Sequence, residues 1–192
     1  MKRKVFGFFG AVSLIGLMAG CAAFNGSTVY QERTITGFEG IVLESSADVN
    51  IYPGREYKVF VTTQEKVQNK IVTEVKSNIL HIKNNGTFTT KELTIDVYLP
   101  ELKTVTIKGA GDIKIGNGNS SSLEITISGT GDIDALNFQV EDINITSKGV
   151  GDARIWATEI LNGTSSGSGD IFYKGNPRMN VKVSGVGDVK SL

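Results

Sequence analysis

The chain has 192 residues, with 20 Lys+Arg against 20 Asp+Glu, one cysteine, one histidine, 23 glycines and 3 prolines. One cysteine excludes a disulfide framework and a Cys-rich zinc site, one histidine excludes a multi-His metal centre, and so few prolines exclude a low-complexity disordered chain. Three of the basic residues sit at the extreme N-terminus; without residues 1–20 the count is 17 basic against 20 acidic. That slightly acidic body lacks the basic footprint of a nucleic-acid binder, so no nucleic-acid partner is expected.

The chain opens with a short basic head, Met1–Lys4, followed by an apolar run of 14 residues, Val5–Met18. The run is shorter than the roughly 20 residues a spanning helix needs, and it has the proportions of a secretory h-region. Leu17-Met18-Ala19-Gly20-Cys21 resembles a bacterial lipobox. The resemblance implies cleavage before Cys21, lipidation of its thiol and attachment to the membrane. Ala22, in place of Asp, implies sorting to the outer membrane. The expected organisation is a lipoprotein signal peptide at 1–20, a tether at 21–28 and a single domain at 29–192. A tether of this composition reaches about 15 Å, which holds the domain near the membrane.

Alternation predicts strands over Ile41–Ile51, Glu56–Thr63, Asn78–Lys83 and Glu92–Leu99, with one helical turn within Gln64–Lys70. Pro100 ends this part. His81 lies alone on a predicted strand and points outward, with no catalytic partner in its sequence neighbourhood.

A repeat organises the remainder. Gly109-Ala110-Gly111-Asp112 recurs as Gly129-Thr130-Gly131-Asp132, Gly149-Val150-Gly151-Asp152, Gly167-Ser168-Gly169-Asp170 and Gly185-Val186-Gly187-Asp188, at spacings of 20, 20, 18 and 18 residues. A weaker copy lies upstream at Ser45-Ser46-Ala47-Asp48. With a period of two, one parity is apolar on both sides of each bend: Val105, Ile107, Gly109, Gly111, Ile113 and Ile115, then Ile125, Ile127, Gly129, Gly131 and Ile133. The other parity is polar. Each copy therefore reads as a strand, a sharp bend and a second strand, with one face inward throughout and no room for side chains inside the bend. The copy around Gly167 has the weakest inward pattern; it is expected to be thinner and to draw on Trp156 or Phe172.

Eighteen to twenty residues is one solenoid turn, and one turn cannot bury its inner face alone, so neighbours must stack. The expected fold is an all-β solenoid of stacked coils, about 25–30 Å long at a strand spacing near 4.8 Å. Its second corners, Gly116–Ser122, Asn137–Glu141, Trp156–Glu159 and Lys174–Arg178, carry the length variation and are expected to be loops.

Stacking places Asp48, Asp112, Asp132, Asp152, Asp170 and Asp188 in an outward column. In the first reading each carboxylate caps its own bend, since a hydrogen bond of about 1.5–3 kcal/mol outweighs a repulsion of about 0.9 kcal/mol between neighbours. In a second reading the column binds calcium and stabilises the module, although no second carboxylate recurs at a fixed offset. Asp132 and Asp134, with Arg154 nearby, are the best approach to a catalytic pair for a polysaccharide-degrading enzyme on a β-helix. The pair is missing from the other copies and no nucleophile, phosphate-loop or zinc signature occurs, so no catalytic residue, metal or cofactor is expected. The outer face of the leading strands carries Thr104, Thr106, Thr126, Ser128, Asn144 and Thr146, a flat hydrogen-bonding surface for a glycan or an envelope protein.

The order of features resembles the head GIN domain family of putative autotransporter adhesins. The matching residues are the lipobox, Gly40-Ile41-Val42-Leu43, Asp48-Val49-Asn50-Ile51, Tyr57-Lys58-Val59, Lys70-Ile71, Glu74-Val75, Tyr98-Leu99-Pro100-Glu101-Leu102 and the G-x-G-D series. The resemblance covers about residues 34–190. It implies a β-solenoid of the pectin-lyase-like kind without the lyase residues, and a role in adhesion. The expected protein is a non-catalytic envelope lipoprotein. Its last repeat ends in unpaired strand edges, so the chain should either self-associate as a homo-oligomer or cover that end with its N-terminal strands.

Overall fold

The structure is a computed structural model that describes residues 26–192. The signal-peptide and lipidation readings, Cys21 included, fall outside the described residues. Among the described residues no helix is long and apolar enough to cross a membrane.

Among the described residues the fold is all-β: fifteen strands and one short helix, α1 (Glu65–Gln68), with every strand in one nearly closed sheet. The leading strands of the repeat are β2 (Gly40–Glu44), β8 (Thr104–Ile107), β10 (Gly118–Ile127), the later parts of β11 (Ile133–Ser147) and β12 (Ala153–Ser165), and β14 (Arg178–Val183). Each pairs in parallel with the next, so that Ile41, Val105, Ile125, Ile145, Gly163 and Val181 fall in one row. The trailing strands are β3 (Asp48–Pro53), β9 (Ile113–Ile115), the starts of β11 and β12, β13 (Ile171–Lys174) and β15 (Val189–Ser191), and they pair in parallel in the same order.

The inward parity survives every bend. Val105, Ile107, Ile113, Ile115, Ile125, Ile127, Ile133, Ile143, Ile145 and Ile155 are at most 1% exposed and share one core. Burying each such side chain contributes about 1.5–3 kcal/mol, so this shared interior is what makes the copies cohere.

The upstream strands behave less simply. β6 (Ile79–Asn84) pairs in parallel with β2, and β7 (Leu93–Leu99) pairs in parallel with β3. Residues 79–99 thus add one more layer, on the side of β2 and β3 away from the regular copies, out of chain order and without a G-x-G-D bend. β4 (Lys58–Gln64) pairs antiparallel with β7, β1 (Thr28–Arg33) antiparallel with β4, and β5 (Ile71–Lys76) antiparallel with β6. These antiparallel strands finish that end of the sheet. Gln68 on α1 ties them together, its amide donating to the carbonyls of Val29 (3.1 Å) and Val61 (2.8 Å).

Three expectations are corrected. Three of the corners are not loops: β10 already begins at Gly118 within 116–122, and β11 and β12 continue as strand through 137–141 and 156–159, with register shifts between Ala135 and Gln139 and between Val140 and Asp142. Phe138, Val140 and Ala157 point inward there and are at most 1% exposed, so apolar packing holds the chain in extended form. Trp156 and Phe172 do not fill the core of the weak copy. They lie on the outer face under cations, Lys174 Nζ 3.7 Å from the Trp156 ring centre and Arg154 5.5 Å from that of Phe172. Finally, the N-terminal strands do not cover the last repeat; they sit at the opposite end, because their partners β6 and β7 belong there.

Candidate functional site

The first corner of each copy is built by backbone proximity. In the bends, the N–H of Thr130 donates to the carbonyl of Gly109 (3.1 Å), Val150 to Gly129 (3.0 Å), Ser168 to Gly149 (3.0 Å) and Val186 to Gly167 (2.9 Å). A Cβ placed on either glycine of a bend would lie closer than 3.0 Å to the backbone oxygen of the equivalent residue in the preceding copy. None of these ten glycines, Gly109, Gly111, Gly129, Gly131, Gly149, Gly151, Gly167, Gly169, Gly185 and Gly187, has a positive φ. Lack of space, not unusual backbone angles, demands them. The upstream copy confirms the direction of the constraint: Ser45 and Ala47 keep their side chains because the layer before them turns through a longer connection, Asn85–Glu92. Ser45 Oγ donates to Asn84 Oδ1 at 2.7 Å in the space this leaves.

The aspartates form the expected outward column, but they do not cap their own bends. Asp48 Oδ1 accepts the N–H of Asp112 (3.2 Å), Asp112 that of Asp132 (2.8 Å), Asp132 that of Asp152 (2.7 Å), Asp152 that of Asp170 (2.8 Å) and Asp170 that of Asp188 (2.7 Å). In return, the residue after each Asp donates its N–H to the carbonyl of the next Asp, as Ile133 does to Asp152 at 2.9 Å. The backbone ladder can serve only one of the two directions at this corner, and the side chain supplies the missing acceptor. The column therefore staples neighbouring copies. The Asp170 carboxyl is held below the ordinary aspartate range, first by the Asp188 N–H and then by Lys190. Lys190 closes the column, with Nζ 3.0 Å from Asp170 and 3.1 Å from Asp188.

The carboxylates do not gather into a centre. Among the described residues no group of three or more His, Cys, Asp or Glu side chains is placed to hold a metal ion. Asp134 Oδ1 accepts the N–H of Leu136 at 3.2 Å, which occupies it locally. A shallow groove of about 270 Å³ runs along the column and is lined by Asn50, Lys114, Asp134 and Arg154 as well as Asp48, Asp112 and Asp132. His81 is half-buried on β6, opposite Val42 and Glu74.

The hydrogen-bonding face comes together as one surface. Parallel register lines Thr106, Thr126, Thr146 and Thr164 in one row, and Thr104, Glu124, Asn144, Asn162 and Asn180 in the next. The asparagines form a ladder, Asn162 Nδ2 donating to Asn144 Oδ1 (3.3 Å) and Asn180 Nδ2 to Asn162 Oδ1 (3.2 Å). Ser128 stands apart, its hydroxyl donating to the Ile107 carbonyl at 3.2 Å.

One feature went unread in the sequence. Tyr30 and Phe60 stack at 4.7 Å, Tyr52 and Tyr98 at 4.8 Å, and Phe60 meets Tyr98 edge-on at 6.0 Å, across the outer face of β1, β4, β7 and β3. A depression of about 430 Å³ beside them is lined by Gly54, Arg55, Glu56, Lys58, Phe60 and Tyr98. Outward parity marks Phe60 and Tyr98 on the predicted strands, and Tyr52 lies one residue past another, but their adjacency depends on the out-of-order pairing of β7.

Parallel repeat strands, backbone-crowded bends and flat polar outer faces define an all-β repeat domain whose side-chain chemistry is directed outward. The family model described as "putative auto-transporter adhesin, head GIN domain" matches residues 37–117 and 104–177, and the chain belongs to that family. The family's description names adhesion and no catalysis. Among solved structures, a putative adhesin from Bacteroides fragilis is similar at 20% identity and a TM-score of 0.61, over 88% of this chain and 98% of its own. A putative cell adhesion protein from Clostridium sporogenes is similar at 18% identity and a TM-score of 0.49, over 86% and 99%. The first of these likenesses concerns the fold alone. No curated protein matches.

Proposed function

We propose that the chain is an outer-membrane lipoprotein, anchored through Cys21, whose repeats wind as a stacked-coil β-solenoid and whose outer face works as a non-catalytic adhesion surface. The solenoid reading is supported by the parallel pairing of every copy with the next through both its strands. The anchoring reading rests on the lipobox.

The observation that carries the binding reading is the register of Thr106, Thr126, Thr146 and Thr164 on adjacent parallel strands beside the Asn144–Asn162–Asn180 ladder. Strand spacing near 4.8 Å repeats the same hydroxyl and amide groups along a flat face, which suits a polyhydroxylated or extended ligand that repeats on a similar scale. A surface glycan is the ligand class of choice; an envelope protein would use the same donors and acceptors.

The test is binding of the full-length protein, on intact cells, to an array of surface glycans, compared with Thr126→Lys/Thr146→Lys. The substitutions should abolish binding without changing the melting temperature. Binding that survives them removes this face from the function. Fatty-acid labelling that persists in Cys21→Ser would remove the anchor independently.

A further inference from the structure

We propose that β14 is a homotypic docking edge, on which a second copy of this chain pairs antiparallel about a two-fold axis. Among the described residues seven large apolar side chains are exposed, and four of them belong to the last repeat: Met179 (40%), Val183 (45%), Val186 (85%) and Leu192 (64%). One copy earlier, the residues in register with Met179 and Val183 are Leu161 and Ser165, both 0% exposed. The inward row is thus cut open at β14. β14 has one strand neighbour, β12, so its far edge presents backbone N–H and carbonyl groups without a strand to receive them.

The two strands of the last repeat differ. β15 carries Lys190, whose ammonium bridges Asp170 and Asp188 and closes the aspartate column against continuation. β14 has no such plug. Asn180 Nδ2 donates to Asn162 Oδ1, and the Asn180 amide oxygen has no hydrogen-bond partner among the described residues.

The occupant follows from the edge itself. Antiparallel pairing with Val181 opposite its own counterpart places Met179 opposite Val183, so the inward row stays apolar from one copy to the next. The same register sets Lys182 opposite Asn180, a cation facing an amide oxygen, with no like charges directly across. A one-residue slip would set Lys182 opposite Met179 and turn apolar groups outward. The chain's own N-terminal strands are committed to the opposite end. That end presents two charged rim strands instead: β5 carries Glu74 in ion pairs with Lys76 and with Lys83, and β1 carries Glu32 and Arg33. A two-fold contact uses the same surface twice and closes, so the assembly is a dimer rather than a fibre.

The test is sedimentation of the detergent-solubilised full-length protein together with cysteine cross-linking. The wild type should sediment at twice the chain mass, and Val181→Lys should halve that mass. Under mild oxidation Val181→Cys should give a disulfide-linked dimer, while Val150→Cys, exposed on a bend two copies away, should not. If Val181→Lys does not fold, the cross-linking decides alone. A monomeric wild type, an open-ended polymer, or equal cross-linking at both positions overturns the proposal. The outcome is independent of what the threonine face binds.

Discussion

The two corners of the repeat solve the same problem by different physics. At the first, Gly131 and Asp132 sit so close to the preceding copy that backbone meets backbone, and the sequence is nearly invariant from copy to copy. At the second, Phe138, Val140 and Ala157 hold an extended chain in place by packing into the core, and both length and composition vary. A corner held by contact between main chains tolerates no added atom, whereas one held by side-chain volume accepts many sequences of suitable size.

The sharpest way to break the comparison is Gly131→Ala. The new methyl would meet the backbone oxygen of Gly111, which cannot move without pulling apart the parallel pairing on both sides. A loss of about 4 kcal/mol or more is expected, enough to abolish the cooperative melting transition. The reciprocal change in the upstream copy, Ala47→Gly, should cost only about 1 kcal/mol, because that corner has no crowding to relieve. Chemical denaturation of the two variants separates them.

A smaller effect lies in the aspartate column. Asp132→Ala removes the acceptor of the Asp152 N–H, and because that N–H is half-exposed water recovers part of the loss, about 1–2 kcal/mol in all. Asp132→Asn keeps an oxygen in place and should lose less. Asp170 also makes stability depend on acid. The folded state holds the Asp170 carboxyl below its ordinary value, so the stability it contributes is present above the unfolded pKa and is lost as pH falls through the folded one. The loss begins below about pH 4. Asp170→Asn should flatten the acid limb of a plot of melting temperature against pH; an unchanged limb would take Asp170 out of the linkage.

The legible part of the fold is the part that repeats. Parity through Gly109-Ala110-Gly111-Asp112 and its successors identifies the buried face, because a two-residue period is a local property that any window displays. The strands β1 and β5 escape such reading. β1 is exposed along most of its length and carries little alternation, and β5 gains its place only by pairing with β6. The insertion of β6 and β7 beyond β2 and β3 is a long-range choice that leaves no trace in spacing. The aspartates are legible as a column, yet their partner is not, since the sequence cannot distinguish an N–H in the same bend from one a copy later. The aromatic cluster of Tyr30, Phe60, Tyr98 and Tyr52 is hidden for the same reason as β7.

The gentlest test concerns the loop at Lys174–Arg178, the second corner between β13 and β14. Asn176 is exposed there, and Asn176→Ala should change stability by no more than about 0.5 kcal/mol in thermal denaturation. Its neighbours carry the constraint instead. Pro177 is buried, and Gly175 has a φ of 107° with its would-be Cβ against the Ala157 backbone oxygen. Gly175→Ala should therefore behave like Gly131→Ala even though it lies at the tolerant corner. If it is as mild as Asn176→Ala, then crowding by the neighbouring main chain is not what distinguishes the two corners, and the copies must be held in line by their side chains alone.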